Sequence, residues 1–180
     1  MIYVALLRGI NVGGNNKISM KQLIAVMSSA GFSEVSTYIN SGNIFFSADE
    51  PEAKLTSMLE QLIKDEFGLA IKVLVRDKSS IDNVAQSIPR NWLNNTEMKC
   101  DVMFLWDTHN DESVLKQLVI TPEVDEVRYA HGALIWKVDR KNVSKSGMLK
   151  LVGTDLYANM TIRNCNTVRK IHERLSTRSS

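Results

Sequence analysis

Two hydrophobic periods alternate through the first 76 residues, and their order restricts the fold more than any other feature of the chain. Residues 2–8 are a continuous apolar run ending in Arg8, which suits a central strand covered on both faces. Met20, Leu23, Ile24 and Met27 recur at helical spacing behind Ser19, a residue type that caps helix starts, and Gly31 closes the helix. Val35–Ile39 and Ile44–Ser47 read as strands about the turn Asn40-Ser41-Gly42-Asn43, which makes a hairpin. Pro51 opens a second helix with its stripe on Leu55, Met58, Leu59, Leu62 and Ile63, and residues 70–75 return as a strand. The order β-α-β-β-α-β predicts a ferredoxin-like plait, an antiparallel sheet with two helices on one face.

A second cycle follows a linking helix over 78–88 and a polar loop. Asp101–Trp106 reads as a strand, Glu112–Val119 as a helix, and 124–130 with 133–138 as a hairpin about Gly132. Ser144–Tyr157 reads as a helix weakened by Gly147 and Gly153, Asn159–Arg163 as a short strand, and Asn164 as the cap of a last helix through Leu175. Ser176–Ser180 reads as a frayed tail. The expected class is α+β, with two ferredoxin-like plaits, the second carrying extra helices. The expected division is a plait over 1–76, a linker over 77–98 and a second plait-like half over 99–180.

Between the first strand and first helix lies Arg8-Gly9-Ile10-Asn11-Val12-Gly13-Gly14-Asn15-Asn16-Lys17. A glycine-rich turn at a helix N-terminus is a ready anion site, and Arg8 and Lys17 add positive charge. The nucleotide-hydrolase pattern GxxxxGK is not met, because Asn15 follows Gly14 where lysine is required. The alternative is a long turn whose Gly and Asn residues satisfy left-handed backbone. Strand directions in a plait bring Asn40, Ser41 and Asn43 to the same end as this loop, either to read a ligand or to brace the loop. A third cluster contains Lys145, Ser146, Lys150, Arg163, Asn164 and Thr167. Ser146 and Lys150 stand one helical turn apart, a weak echo of acyl-transfer Ser/Lys pairs. Asn164 beside Arg163 at a helix start is a second possible anion site.

Charge is balanced overall at +2 but uneven: residues 77–136 hold 5 Lys+Arg against 10 Asp+Glu, and 137–180 hold 10 against 3. A nucleic-acid polycation is excluded, whereas an anionic partner for the C-terminal quarter is not. His109, His131 and His172 fit no metal motif, and Cys100 and Cys165 have no metal-ligand or CxxC spacing, so neither metal nor cofactor is expected. Cys100 opens an apolar run, as a buried thiol does. The RNA-binding signature of aromatic plaits is absent, and Tyr38, Phe45 and Phe46 are expected in the core. No apolar run approaches ~20 residues, so no membrane span and a cytoplasmic location are expected.

Ala5-Leu6-Leu7-Arg8-Gly9-Ile10-Asn11-Val12-Gly13-Gly14, Met20, Gly31-Phe32, Thr37–Asn43, Ser146, Lys150 and Thr161–Val168 together resemble the bacterial domain-of-unknown-function family 1697 over nearly the whole chain. Cys165 departs from the tryptophan that family often carries there. The resemblance implies two ferredoxin-like halves and no established activity. The expected function is a binding or regulatory module for an anionic, phosphate-bearing ligand, a small molecule or a nucleic-acid backbone. Its site would draw on Arg8, Asn11, Gly13, Gly14, Lys17, Asn40, Ser41 and Asn43, with Lys150, Arg163 and Asn164. The alternatives are an enzyme of unknown class using the loop as an oxyanion or phosphate site, with no catalytic residue assigned beyond the Ser146 candidate, and a protein-interaction module.

Overall fold

The computed structural model describes residues 1–178. The chain divides into two compact units, one holding Met1–Ser79 with the residues from Glu173 onward, the other Ser80–His172.

In the first unit, β1 (Ile2–Leu7), β2 (Ser33–Tyr38), β3 (Asn43–Ser47) and β4 (Val73–Asp77) form a sheet of order β2-β3-β1-β4 with every neighbour antiparallel. This is the ferredoxin-like order. Helices α1 (Met20–Ser29) and α2 (Glu52–Phe67) bury Leu23, Met27, Leu55, Leu59 and Ile63. These side chains join Tyr3, Ala5, Leu7, Ile44, Phe46, Val73 and Val75 in one core. Alternate residues Val4, Leu6, Phe45 and Leu74 are buried too, so both sheet faces are covered, as the unbroken apolar run of β1 demands. The Arg174 and Arg178 guanidinium carbons lie 4.7 and 5.3 Å from the Tyr38 and Phe45 ring centres. Phe45 and Phe46 are core as expected, whereas Tyr38, expected there too, is only half-buried at the end of β2 and lies under Arg174.

Strand β4 is an edge, and α2 supplies its missing acceptors. Glu60 Oε1 accepts from Val73 N at 2.9 Å and Glu52 Oε1 from Asp77 N at 2.8 Å. Occupying edge donors with carboxylates blocks further strand addition there. The strand starts at Val73 rather than at 70, after the left-handed cap Gly68 (φ 68°) has ended α2.

The second unit repeats the sheet. After α3 (Lys78–Ser87), β5 (Met98–Leu105), β6 (Glu126–Ala130), β7 (Ala133–Asp139) and β8 (Met160–Asn164) adopt the order β6-β7-β5-β8, again antiparallel. Its helices differ from the sequence expectation. The expected helix over 112–119 is a 3₁₀ segment, Glu112–Gln117, begun by Asp111 accepting from Ser113 N. The expected helix over 144–157 is three pieces: 3₁₀ segments Arg140–Lys145 and Gly147–Leu151, then α4 (Asp155–Ala158). Ser146 and Thr154 each restart the chain as N-caps, so two side-chain caps cut one periodic stretch. Gly147 has no room for a side chain, since a Cβ there would sit 2.3 Å from Val119 O. Val114, Met148, Leu151 and Leu156 still meet Met103, Leu105, Leu134, Trp136 and Val138 in a second core.

The last described element is α5 (Cys165–Arg178), which continues past Leu175 into the segment expected to fray; Ser179 and Ser180 lie outside the described residues.

Candidate functional site

The loop after β1 is built on left-handed backbone. Gly9, Asn11, Gly13, Gly14 and Asn16 have φ of 69°, 52°, 58°, 80° and 48°. Glycine and asparagine are the residue types that enter this region most cheaply, which explains the composition of the segment. Val12 and Asn15 form an isolated bridge, with Asn15 N donating to Val12 O at 3.0 Å, and Asn11 N donates to Asn16 O at 3.2 Å. The tip is thus a closed miniature hairpin.

Two asparagine side chains brace this hairpin from within. Asn11 Nδ2 donates to Ile18 O at 3.1 Å and to Asn40 O at 2.7 Å, while its Oδ1 accepts from Ile18 N at 2.9 Å. Asn16 Nδ2 donates to Gly9 O at 3.0 Å. The turn after β2 is bound to the same base, with Leu7 N donating to Gly42 O at 2.9 Å. Asn43 is fully buried, and its Nδ2 donates to Tyr38 O at 3.0 Å and Ser41 Oγ at 3.2 Å. The two polar loops do converge at one end of the sheet, and Asn11 and Asn43 engage backbone there.

On the outside of this brace, Val12, Gly13, Gly14, Asn15, Asn16 and Lys17 are exposed, Asn40 is exposed, and Arg8 and Ser41 are half-buried. Arg8 N donates to Lys72 O at 3.0 Å, so the root of the loop is fixed to β1's other neighbour as well. Ile39, just before the turn, holds φ 52° and is 49% exposed, an unfavourable backbone for a β-branched residue. Ser19 caps α1 immediately after the loop, accepting from Gln22 N, so the helix N-terminus follows as the sequence predicts.

Lys150, Arg163 and Asn164 belong to the second unit. Lys150 is exposed in the Gly147–Leu151 segment. Arg163 is buried on β8, donating to Thr161 Oγ1 at 3.0 Å and Ile162 O at 2.9 Å, and burial lowers its pKa to about 10. Asn164 caps α5, accepting from Thr167 N at 2.9 Å. Each of the three thus has its own local setting: solvent for Lys150, the buried strand for Arg163 and the start of α5 for Asn164.

Ser146 is not paired with Lys150. The helical turn that would align them is broken at Ser146 itself, which is a buried N-cap, whereas Lys150 faces solvent. Ser146 Oγ donates to Asp125 Oδ1 at 2.5 Å and accepts from Met148 N at 3.0 Å. Asp125 also accepts from Trp136 Nε1 at 2.9 Å, Gly147 N at 2.9 Å and Thr121 N at 2.9 Å. Burial pushes its carboxyl pKa up, but these four donors outweigh it and hold the pKa below the usual value. The Ser146 hydroxyl is thus committed to a buried carboxylate and to capping the Gly147–Leu151 segment. Sequence reasoning missed Asp125 because its partners lie up to 22 residues away with no motif spacing.

His109 is held through both ring nitrogens: Nδ1 lies 2.9 Å from Thr108 Oγ1 and Nε2 2.9 Å from Asp155 Oδ2, which pins the Asp107–His109 turn to α4. Among the described residues, no group of three or more His, Cys, Asp or Glu could hold a metal ion. None of the described helices is long and apolar enough to cross a membrane.

No curated protein matches the chain by sequence. Among solved structures, the chain is similar to a conserved bacterial protein, SP0830 from Streptococcus pneumoniae, with 26% identity, a TM-score of 0.82, and coverage of 97% of this chain and 98% of that one. The double antiparallel plait is therefore shared along essentially the full length of both. Residues 1–136, which include the braced loop, the converging turn and the start of the second unit, match the family described as a protein of unknown function, DUF1697, and the chain belongs to that family.

Proposed function

We propose that the protein is a binding module whose ligand-facing element is the Gly9–Lys17 loop, and that its ligand is an anion carrying phosphate. The observation that carries this reading is the division of labour in the loop. Asn11 and Asn16 hold its inner side to Ile18, Asn40 and Gly9, while Gly13, Gly14, Asn15 and Lys17 stay exposed on its outer side. A loop stiffened from behind loses little entropy when its outer edge binds, which is how a preorganised site gains affinity. Its exposed glycines let an anion approach the backbone closely, and Lys17 and Arg8 supply charge of the right sign. The left-handed Ile39 adds support, because backbone strain is concentrated at functional sites.

Calorimetry and thermal shift against inorganic phosphate, pyrophosphate and a nucleotide panel test the reading, with single-stranded RNA at two salt concentrations. The expected result is saturable binding to at least one phosphate-bearing probe, lowered about tenfold by Lys17→Ala, a loss of roughly one charged contact. Binding to RNA should weaken as salt rises. Absence of binding across the panel, or binding equal in wild type and a folded Arg8→Ala/Lys17→Ala variant, would overturn it. Protein contact is the second reading, favoured by two exposed apolar side chains, Val12 at the loop tip (63% exposed) and Ile39 before the converging turn (49%).

A further inference from the structure

The two cysteines stand 65 positions apart in sequence, yet the sheet places them together. The β5–β8 ladder ends on the pair Asp101↔Asn164, and one step further along each chain lie Cys100 and Cys165. Directly opposed strand residues have Cα atoms about 4.5–5.5 Å apart, inside the ~4.4–6.8 Å range that a disulfide spans, and Cys165 follows such a pair at the junction of β8 and α5. The thiols are close enough to act on each other's titration, and both side chains are fully buried.

Their surroundings are asymmetric. Cys165 occupies the first position of the 14-residue α5, where the helix dipole favours negative charge. Arg169, one turn on, donates through Nη1 to Cys165 Sγ at 3.4 Å and through Nη2 to the carbonyls of Pro89 at 3.1 Å and Trp92 at 2.9 Å. The guanidinium is thus fixed against the sulfur by two backbone acceptors. Cys100 donates its hydrogen bond to Cys165, which lowers the Cys165 pKa to about 7; Arg169 also lowers it, while burial opposes both. The same hydrogen bond and burial push the Cys100 thiol up. The Arg169 guanidinium and the helix N-terminus thus favour negative charge at Cys165 over Cys100.

We propose that Cys100 and Cys165 are a redox-active dithiol that hydrogen peroxide converts into an intramolecular disulfide. The Cys165 thiolate attacks the peroxide oxygen. An S–O bond forms, the O–O bond breaks, and the departing hydroxide takes up a proton as water. The Cys100 sulfur then attacks the resulting sulfenic sulfur. An S–S bond forms, the S–O bond breaks, and a second water leaves with the Cys100 proton. Two thiols lose two electrons and one peroxide gains them. Full burial restricts the oxidant to a molecule of peroxide size and places the resolving thiol at the sulfenic acid before a second protein or a bulky thiol can reach it.

The test is hydrogen peroxide treatment of the folded, fully reduced protein near pH 7, followed by denaturation in the presence of an alkylating agent and intact-mass measurement. The expected product is a monomer lighter by two hydrogens that takes no alkyl label and regains two after reduction. In Cys100→Ser, which removes the resolving sulfur, Cys165 should stop at sulfenic acid and take up a dimedone tag once the protein is denatured with dimedone present. In Cys165→Ser, oxidation of Cys100 should slow by about tenfold or more, the ratio set by thiolate fractions at that pH. Two labelable thiols surviving in treated wild type would overturn the proposal. So would disulfides found only between molecules, or equal oxidation rates of the two single variants, both shown folded by circular dichroism.

Discussion

Asn11 Nδ2 lies 2.7 Å from the carbonyl oxygen of Asn40, a bond across 29 residues that joins the loop after β1 to the turn after β2. The same amide holds Ile18 through both its N–H and its carbonyl, so one side chain sets the geometry of three backbone segments. Asn11→Ala removes all three bonds and puts a less tolerant residue at φ 52°; we expect a loss of about 2–3 kcal/mol of stability in urea unfolding. Asn11→Gly keeps the backbone conformation and loses only the bonds, so it should fall between wild type and the alanine variant.

Gly42 and Gly13 separate crowding from backbone strain. Both have positive φ, 83° and 58°, but a Cβ at Gly42 would meet Leu7 Cβ at 2.7 Å and Ile10 Cδ1 at 2.9 Å, whereas at Gly13 it would meet nothing within 4 Å. Gly13→Ala should cost about 1 kcal/mol, the left-handed penalty alone. Gly42→Ala adds overpacking and should cost about 3 kcal/mol or more. Equal effects in chemical denaturation would mean that the turn moves away from β1 without resistance.

Ile39 makes the opposite prediction. A β-branched side chain at φ 52°, half exposed to water, is held against its own preference. Ile39→Asn should raise the unfolding midpoint, by about 1 kcal/mol in free energy, because asparagine tolerates this backbone region. If the strain serves ligand contact, the same variant should bind the phosphate probes less well despite its greater stability.

The acid dependence of stability should pass through Asp125. Its folded pKa is depressed by Ser146, Thr121, Trp136 and Gly147, in spite of burial. A depressed carboxylate contributes stability that is fully present above its unfolded pKa of about 3.9 and is lost as pH falls through the lower folded value. Asp125→Asn should lower stability near pH 7 by about 2–3 kcal/mol and flatten the decline below about pH 4. Ser146→Ala removes one of the four donors and should cost about 1–2 kcal/mol, measured by denaturation at pH 7. Phosphate binding at the loop should be unchanged in a folded Ser146→Ala variant.

How far the sequence was legible depended on how local each signal was. The helices of the first unit are continuous apolar stripes ended by backbone signals within the stripe itself, and Met20–Ser29 and Glu52–Phe67 form close to the expected places. In the second unit the stretch 140–158 has helical periodicity too, but Ser146 and Thr154 are also good caps. Whether a serine continues a helix or restarts one was settled by Asp125, which accepts the Ser146 hydroxyl from a distant segment. The loop's glycines and asparagines announced left-handed backbone. Which asparagines would face inward could not be read, because Asn11 and Asn43 are defined by partners across the hairpin.

The sequence by itself determined the strand and helix order of the first plait, the left-handed loop, the convergence of that loop with the Asn40–Asn43 turn, and burial of Cys100. Each follows from period, residue type and strand direction, which are properties of short segments. Tertiary structure alone decided that Asn11 ties the two loops, that Ser146 serves Asp125 rather than Lys150, and that Cys165 meets Cys100 beside Arg169. These depend on register between strands and on which buried group lacks a partner, and such conditions exist only once distant parts of the chain have been brought into one core.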